Sequence, residues 1–281
     1  MNRAVSGVIR ILKRVNPRAW PPGSSNANSP PAKFNLPCPA LDYSMKDWIA
    51  KLLNCRDLTS MGHLQRVEDA NLGLGWIYYG LARVIRPKQV VIIGSYRGFV
   101  PLVLGKALAD NLNGGQVIFI DPSFVDDFWK DAQSVRAHFA LFDVGNIEHY
   151  LMTTQQFTQS EAYRSLNRLG MVFVDGYHSE EQARFDYEAF EGILDPDGII
   201  LLHDTALSRV SRVYGAERAY EQRVRYFVDK LKQDVRLQVF DLPFDQGVTL
   251  VRKLGAIEDG ATGNQPNSSC SIPVSGSNPQ P

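Results

Sequence analysis

Apolar residues along the chain gather in short unbroken runs at 90–93, 117–120, 171–174 and 199–202, with a weaker run at 149–153. Between them lie stretches of helical spacing, at about 100–110 and at 179–192. Runs this short and wholly apolar have no wet face, so they predict strands buried on both sides. Their alternation with amphipathic helices predicts a parallel sheet covered by helices. Further helices are expected at 45–53 and 74–86, packed beside the sheet as an added cap, and a long one around 210–232. The late sequence LQVFDLPFDQGVTLVRK reads as two strands joined through 243–247, so one late strand runs antiparallel. The expected fold class is α/β, doubly wound.

The two ends read differently. Arg3, Arg10, Lys13, Arg14 and Arg18 are accompanied by no acidic residue, and Val5, Val8, Ile9, Leu12 and Val15 fall at helical spacing. A short basic amphipathic helix is expected there; Arg10 interrupts any secretory apolar stretch. A frayed terminal helix, a weak membrane-surface contact through residues 1–18 and an organellar transit segment are the readings it leaves open. Residues 17–39 are rich in proline and small polar residues, and 256–281 hold no aromatic residue, so neither can build a packed core. The expected organisation is a basic segment and Pro-rich linker at 1–40, one domain at 41–255 and a disordered tail at 256–281.

Composition narrows the function. Thirty basic and thirty acidic residues cancel over 281 positions, so no overall field draws in nucleic acid. No apolar run approaches the roughly 18 residues that a membrane crossing needs. Cys38, Cys55 and Cys270 show no C-x-x-C spacing, which argues against a thiolate zinc site or a disulfide framework and for a reducing, cytoplasmic compartment. A small-molecule partner is expected, and the oligomeric state is open.

In an open α/β sheet, ligands bind beyond the carboxyl ends of the strands, near the point where strand order reverses. That rule singles out Gly94–Ser95–Tyr96–Arg97–Gly98, Asp121, Thr153 to Gln155, Asp175 to His178, and His203 to Thr205. Glycines in the first loop let a ligand lie against the backbone. A dinucleotide fingerprint would need glycine in place of Tyr96 and Phe99, and no G-K-[ST] follows, so the loop suits a nucleoside better than NAD or ATP. Asp121, 23 residues past Gly98, can accept both hydroxyl hydrogens of a ribose. Asp175 and Asp204 close strands that, as neighbours, bring both carboxylates within reach of one hard cation. His178 and His203 are the two histidines able to take a proton at this rim; a loop or core role is the alternative for each.

At these residues the chain resembles class I S-adenosylmethionine-dependent methyltransferases, most closely the metal-dependent small-molecule O-methyltransferases of the catechol and macrocin type. The most specific stretch is FVDGYHSEEQARFDYEAFEGILDPDGIILLHDT, and the likeness covers roughly residues 74–253. The resemblance implies a mostly parallel, seven-stranded, Rossmann-like sheet with its late antiparallel strand. It implies methyl transfer to a hydroxyl of a small molecule, with S-adenosylmethionine held by Gly94, Ser95, Tyr96 and Gly98, its ribose by Asp121 and its adenine beside Thr154 and Gln155. It places Mg2+ on Asp175, Asp204 and Thr205, and His178 where catechol-type enzymes have a lysine base. Three positions depart from the family: Ile92 replaces an acid and Val100 a serine, both of which contact the amino-acid end of the cofactor, and Thr205 replaces an asparagine or aspartate ligand. Another reaction on the same scaffold, as in hydroxylase components, or a degenerate fold serving as a binding or assembly partner are the competing readings. The acceptor pocket is expected from the segments around 61–79 and 123–146, with Trp76, Tyr78, Tyr79, Phe124, Phe128 and Trp129 as candidate aromatic walls.

Overall fold

The computed structural model describes residues 45–60 and 62–254. The basic N-terminal segment, the Pro-rich linker, Cys38, Cys270 and the C-terminal tail lie outside the described residues. In chain order the helices α1 (Met45–Leu53), α2 (Arg56–Thr59) and α3 (Gly75–Ile85) precede strand β1 (Gln89–Ile93). Then come α4 (Phe99–Asp110), β2 (Gln116–Ile120), α5 (Ala132–Ala140), β3 (Ile147–Tyr150), α6 (Thr154–Phe157), α7 (Glu161–Arg164), β4 (Leu169–Val174), α8 (Glu180–Glu191) and β5 (Leu194–His203). A small pair, β6 (Arg209–Ser211) and β7 (Tyr220–Gln222), is followed by α9 (Val224–Leu231) and the closing strands β8 (Leu237–Leu242) and β9 (Val248–Lys253).

The main sheet has seven strands in the order β3-β2-β1-β4-β5-β9-β8. All neighbours from β3 to β5 pair in parallel, while β9 runs antiparallel to both β5 and β8. Chain order therefore reverses between β1 and β4. Side chains of each central strand alternate between two cores, as a strand's period of two demands. Val90, Ile92, Phe119, Phe173 and Leu201 join one core with α1, α3 and α4; Val91, Ile93, Ile120, Val172 and Ile200 join the other with α8 and α9. The fully apolar runs thus cover a sheet buried on both faces. Ile92 and Val100, two of the departures from the family pattern, are both wholly buried in the first core.

Three expectations need correction. The long helix expected around 210–232 is helical only from Val224; before it the chain forms the antiparallel pair β6–β7. Gly215, at φ +97°, breaks any helix there, and the segment is held instead by partners remote in sequence. Tyr177 stacks on Tyr220 at 3.9 Å and on Tyr214 at 5.8 Å. The weak third run is a strand over Ile147–Tyr150 only; Thr153 caps α6 in a capping box with Gln156. Of the six aromatic residues considered for an acceptor pocket, Tyr78 and Trp129 are core residues, and Tyr79 donates to Asp110 at 2.7 Å. Phe124 is the one of the six that lines the cavity described below.

Candidate active site

A cavity of about 800 Å³ opens at the carboxyl ends of β1, β2, β4 and β5, across the point where strand order reverses. It is lined by Gly94, Ser95, Tyr96, Asp121, Thr154, Gln155, Asp175, His178, His203 and Asp204, among others. Two expected residues stand off it. Gly98 starts α4 at φ +89°, where an added Cβ would press on Trp129 and Phe139. Thr205 is buried and accepts a hydrogen bond from the Thr249 hydroxyl at 2.9 Å.

The glycine turn is shaped by the switch point. Gly94 has φ +70°, and a Cβ there would lie 2.5 Å from the Asp175 carbonyl oxygen, so β1 and β4 approach this closely only without a side chain. Tyr96 follows at φ +39°, an uncommon conformation for a bulky residue. Asp121 sits just past β2, its Oδ1 accepting the Ser123 N–H at 2.7 Å. Burial pushes its pKa up to about 6, against the hydrogen bonds from Ser123 and Ser95. A backbone cradle beside a carboxylate is an arrangement able to accept the hydroxyl hydrogens of a sugar.

Beyond β4 and β5 two carboxylates share three imidazoles. His203 Nδ1 stands 2.8 Å from Asp175 Oδ1 and 3.4 Å from Asp204 Oδ1. His178 Nε2 is 3.5 Å from Asp204 Oδ2 and 3.8 Å from Asp175 Oδ1, and His63 Nε2 is 4.0 Å from Asp175 Oδ2. Burial alone would lower the His203 pKa, but the two aspartates outweigh it and raise the value to about 9. Burial dominates elsewhere: His63 is lowered to about 3, also by its charged neighbour His203, and His178 is lowered despite Asp204 and Asp175. The His203 imidazolium therefore offsets part of the charge of the two carboxylates, while burial disfavours charge on His63 and His178.

The magnesium set expected on Asp175, Asp204 and Thr205 is not assembled. His203 Nδ1 approaches both carboxylates, the Thr205 hydroxyl is hydrogen-bonded to Thr249, and among the described residues no group of three or more His, Cys, Asp or Glu side chains is placed to hold a metal ion. Asp204 is occupied on its other oxygen, which accepts from Gln222 at 2.9 Å and faces Arg209 at 3.5 Å.

Several lining residues escaped the sequence reading. His63 comes from an irregular segment, tied back by the Leu74 N–H to its carbonyl and stacked on Phe99 at 5.1 Å. Arg209, Tyr214 and Gln222 enter through the β6–β7 pair and its connecting loop. Asp186 left a legible signal: it interrupts the otherwise apolar buried face Ala183, Tyr187 and Phe190 of α8.

Fold and site together define a doubly wound α/β protein with a nucleoside-sized cavity at its switch point. Residues 91–205 match the model of a family described as a methyltransferase domain. Comparison with curated proteins by sequence gives no match. Among solved structures, the chain is similar to the O-methyltransferase TomG of Streptomyces achromogenes, involved in tomaymycin synthesis and bound to S-adenosylmethionine. That likeness has 15% identity and TM-score 0.53 over 76% of this chain and 93% of that one. A methyltransferase of Podospora anserina bound to S-adenosylhomocysteine gives 18% identity and TM-score 0.52, over 74% and 88%. An O-methyltransferase of Bacillus cereus, also with S-adenosylhomocysteine, gives 16% and 0.52, over 74% and 90%. These likenesses establish the fold, and residues 91–205 of it carry the methyltransferase-domain match.

Proposed function

We propose that the protein transfers a methyl group from S-adenosylmethionine to a hydroxyl of a small molecule. The observation that carries this reading is one cavity joining the Gly94 turn, Asp121, Gln155 and the Asp175–His178–His203–Asp204 cluster, within the stretch that matches a methyltransferase domain. Gly94 to Tyr96 would cradle the amino-acid chain, Asp121 would accept the ribose hydroxyls, and Thr154 with Gln155 would border the adenine. The cofactor supplies a methyl already activated on a sulfonium.

The chain's own task is then alignment and proton removal. An acceptor hydroxyl beside the cluster donates its hydrogen to neutral His178 Nε2 as its oxygen bonds the methyl carbon and the carbon–sulfur bond breaks. Asp204 and Asp175 steady the imidazolium that forms. His203, already protonated and with its Nδ1 near both aspartates, is the poorer base and offsets part of their charge. No step here runs through a divalent cation.

Calorimetry with S-adenosylhomocysteine tests the binding half: heat is expected with wild type, and Asp121→Ala should weaken binding about tenfold or more, the worth of a charged hydrogen bond. Transfer of labelled methyl to a panel of phenols and sugars tests the chemistry, with His178→Gln expected to lower kcat by roughly 10² or more. No heat at millimolar ligand would end the proposal.

A further inference from the structure

A chain of hydrogen bonds runs from the core to the cavity wall beside Gln155. Asp186 is buried on α8 at the inner wall of the cavity, and its Oδ1 accepts from Gln182 Nε2 at 2.8 Å. Gln182, one turn earlier on the same helix, accepts through its Oε1 from Gln155 Nε2, also at 2.8 Å. Gln155 is exposed to the cavity it lines.

A carboxylate can only accept. Burial pushes the Asp186 pKa up to about 6, opposed by Thr154 and Gln182, so above that pH it is ionised. Gln182 must then turn its NH2 toward Asp186, which leaves its oxygen for Gln155. Gln155 must in turn spend its NH2 on Gln182, which leaves its own Oε1 as the group offered to a ligand. One buried charge thus fixes the sense of two amides that could otherwise flip.

We propose that Asp186 is a positioning residue that, through Gln182, holds the Gln155 amide with its oxygen toward the ligand and makes the site prefer a 6-amino purine over a 6-oxo purine. A 6-amino group donates to that oxygen, whereas a 6-oxo group faces it with a second acceptor, and two acceptors repel. The inference rests on the adenosyl ligand proposed above and adds the device that recognises its base.

The test is calorimetry at pH 7.5 with S-adenosylhomocysteine and its 6-oxo counterpart, S-inosylhomocysteine. Wild type should prefer the adenosyl form by about tenfold or more, one charge-linked hydrogen bond's worth. Asp186→Asn can present either an oxygen or an NH2 to Gln182, so the preference should fall to about threefold or less while binding of the adenosyl form persists. Should Asp186→Asn fail to fold, Gln182→Met breaks the same chain while leaving the Asp186 carboxyl in place and should show the same collapse. Equal binding of the two ligands by wild type, or full preference in the folded Asp186→Asn and Gln182→Met variants, overturns the inference and leaves the methyltransferase reading standing. Absence of binding to either ligand by wild type overturns both.

Discussion

Under the proposed function, Asp121 ties ligand binding to pH at the level of one carboxyl. Burial raises its pKa to about 6 from an ordinary value near 3.8. The folded chain therefore binds a proton more readily than the unfolded chain between those values, and Asp121 adds stability to the unliganded protein as pH falls from 6 toward 4. Ribose recognition moves the other way, because a protonated carboxyl loses an acceptor. Affinity for S-adenosylhomocysteine should fall as pH drops from 7 to 5, and the Asp121→Asn variant should lose that slope; a pH series of calorimetric titrations reads both. Gly94 carries a second prediction. Gly94→Ala forces a Cβ against the Asp175 carbonyl at positive φ, and should cost about 1–3 kcal/mol of stability in urea unfolding and weaken binding by moving the β4 end.

The β6–β7 pair owes its place to partners outside itself. Two three-residue strands are too short to stand alone. Tyr177 stacks on Tyr214 and Tyr220, Arg209 Nε donates to Gln222 at 2.5 Å, and Gln222 reaches Asp204. Tyr177→Ala should speed amide hydrogen exchange across 209–222 while leaving the protection of β4 and β5 unchanged; equal exchange in both proteins would show that the stack does not hold the pair. The helical expectation for this stretch failed for the same reason. Val210, Val213 and Gly215 disfavour a helix only mildly in sequence, and the ring that stacks on Tyr214 and Tyr220, that of Tyr177, comes from more than thirty residues earlier in the chain. By contrast α1, α3, α4 and α8 lie within a residue of where the sequence places them: α1, α3 and α8 each bury a stripe with its own period, and α4 is buried on nearly every side.

Across the molecule, α1 is part of the main core rather than an appendage. Trp48 is 1% exposed and its Nε1 donates to the Phe142 carbonyl oxygen at 2.8 Å, linking the first helix to the end of α5. Trp48→Ala removes that bond and a large buried volume, and should cost about 3–5 kcal/mol, seen as a lower midpoint in denaturant unfolding with an unchanged fold at low denaturant. No helix among the described residues is long and apolar enough to cross a membrane. Lys51 reaches Asp143 at 3.3 Å on the same face as the Trp48 link, an exposed pair of small worth beside it.

The sequence by itself determined the sheet and its rim. Unbroken apolar runs can only be strands buried twice over, and chain polarity then puts Gly94, Asp121, Asp175 and Asp204 at one end. Tertiary structure alone decided what stands around them. His63 and the β6–β7 residues arrive from segments with no periodicity, and the Asp186–Gln182–Gln155 chain joins two elements. The partners of Asp175 and Asp204 were set the same way: pairing of β4 with β5 brings the Nδ1 of a histidine one residue from Asp204 in sequence to both carboxylates, and pairing of β5 with β9 brings the Thr205 hydroxyl to Thr249.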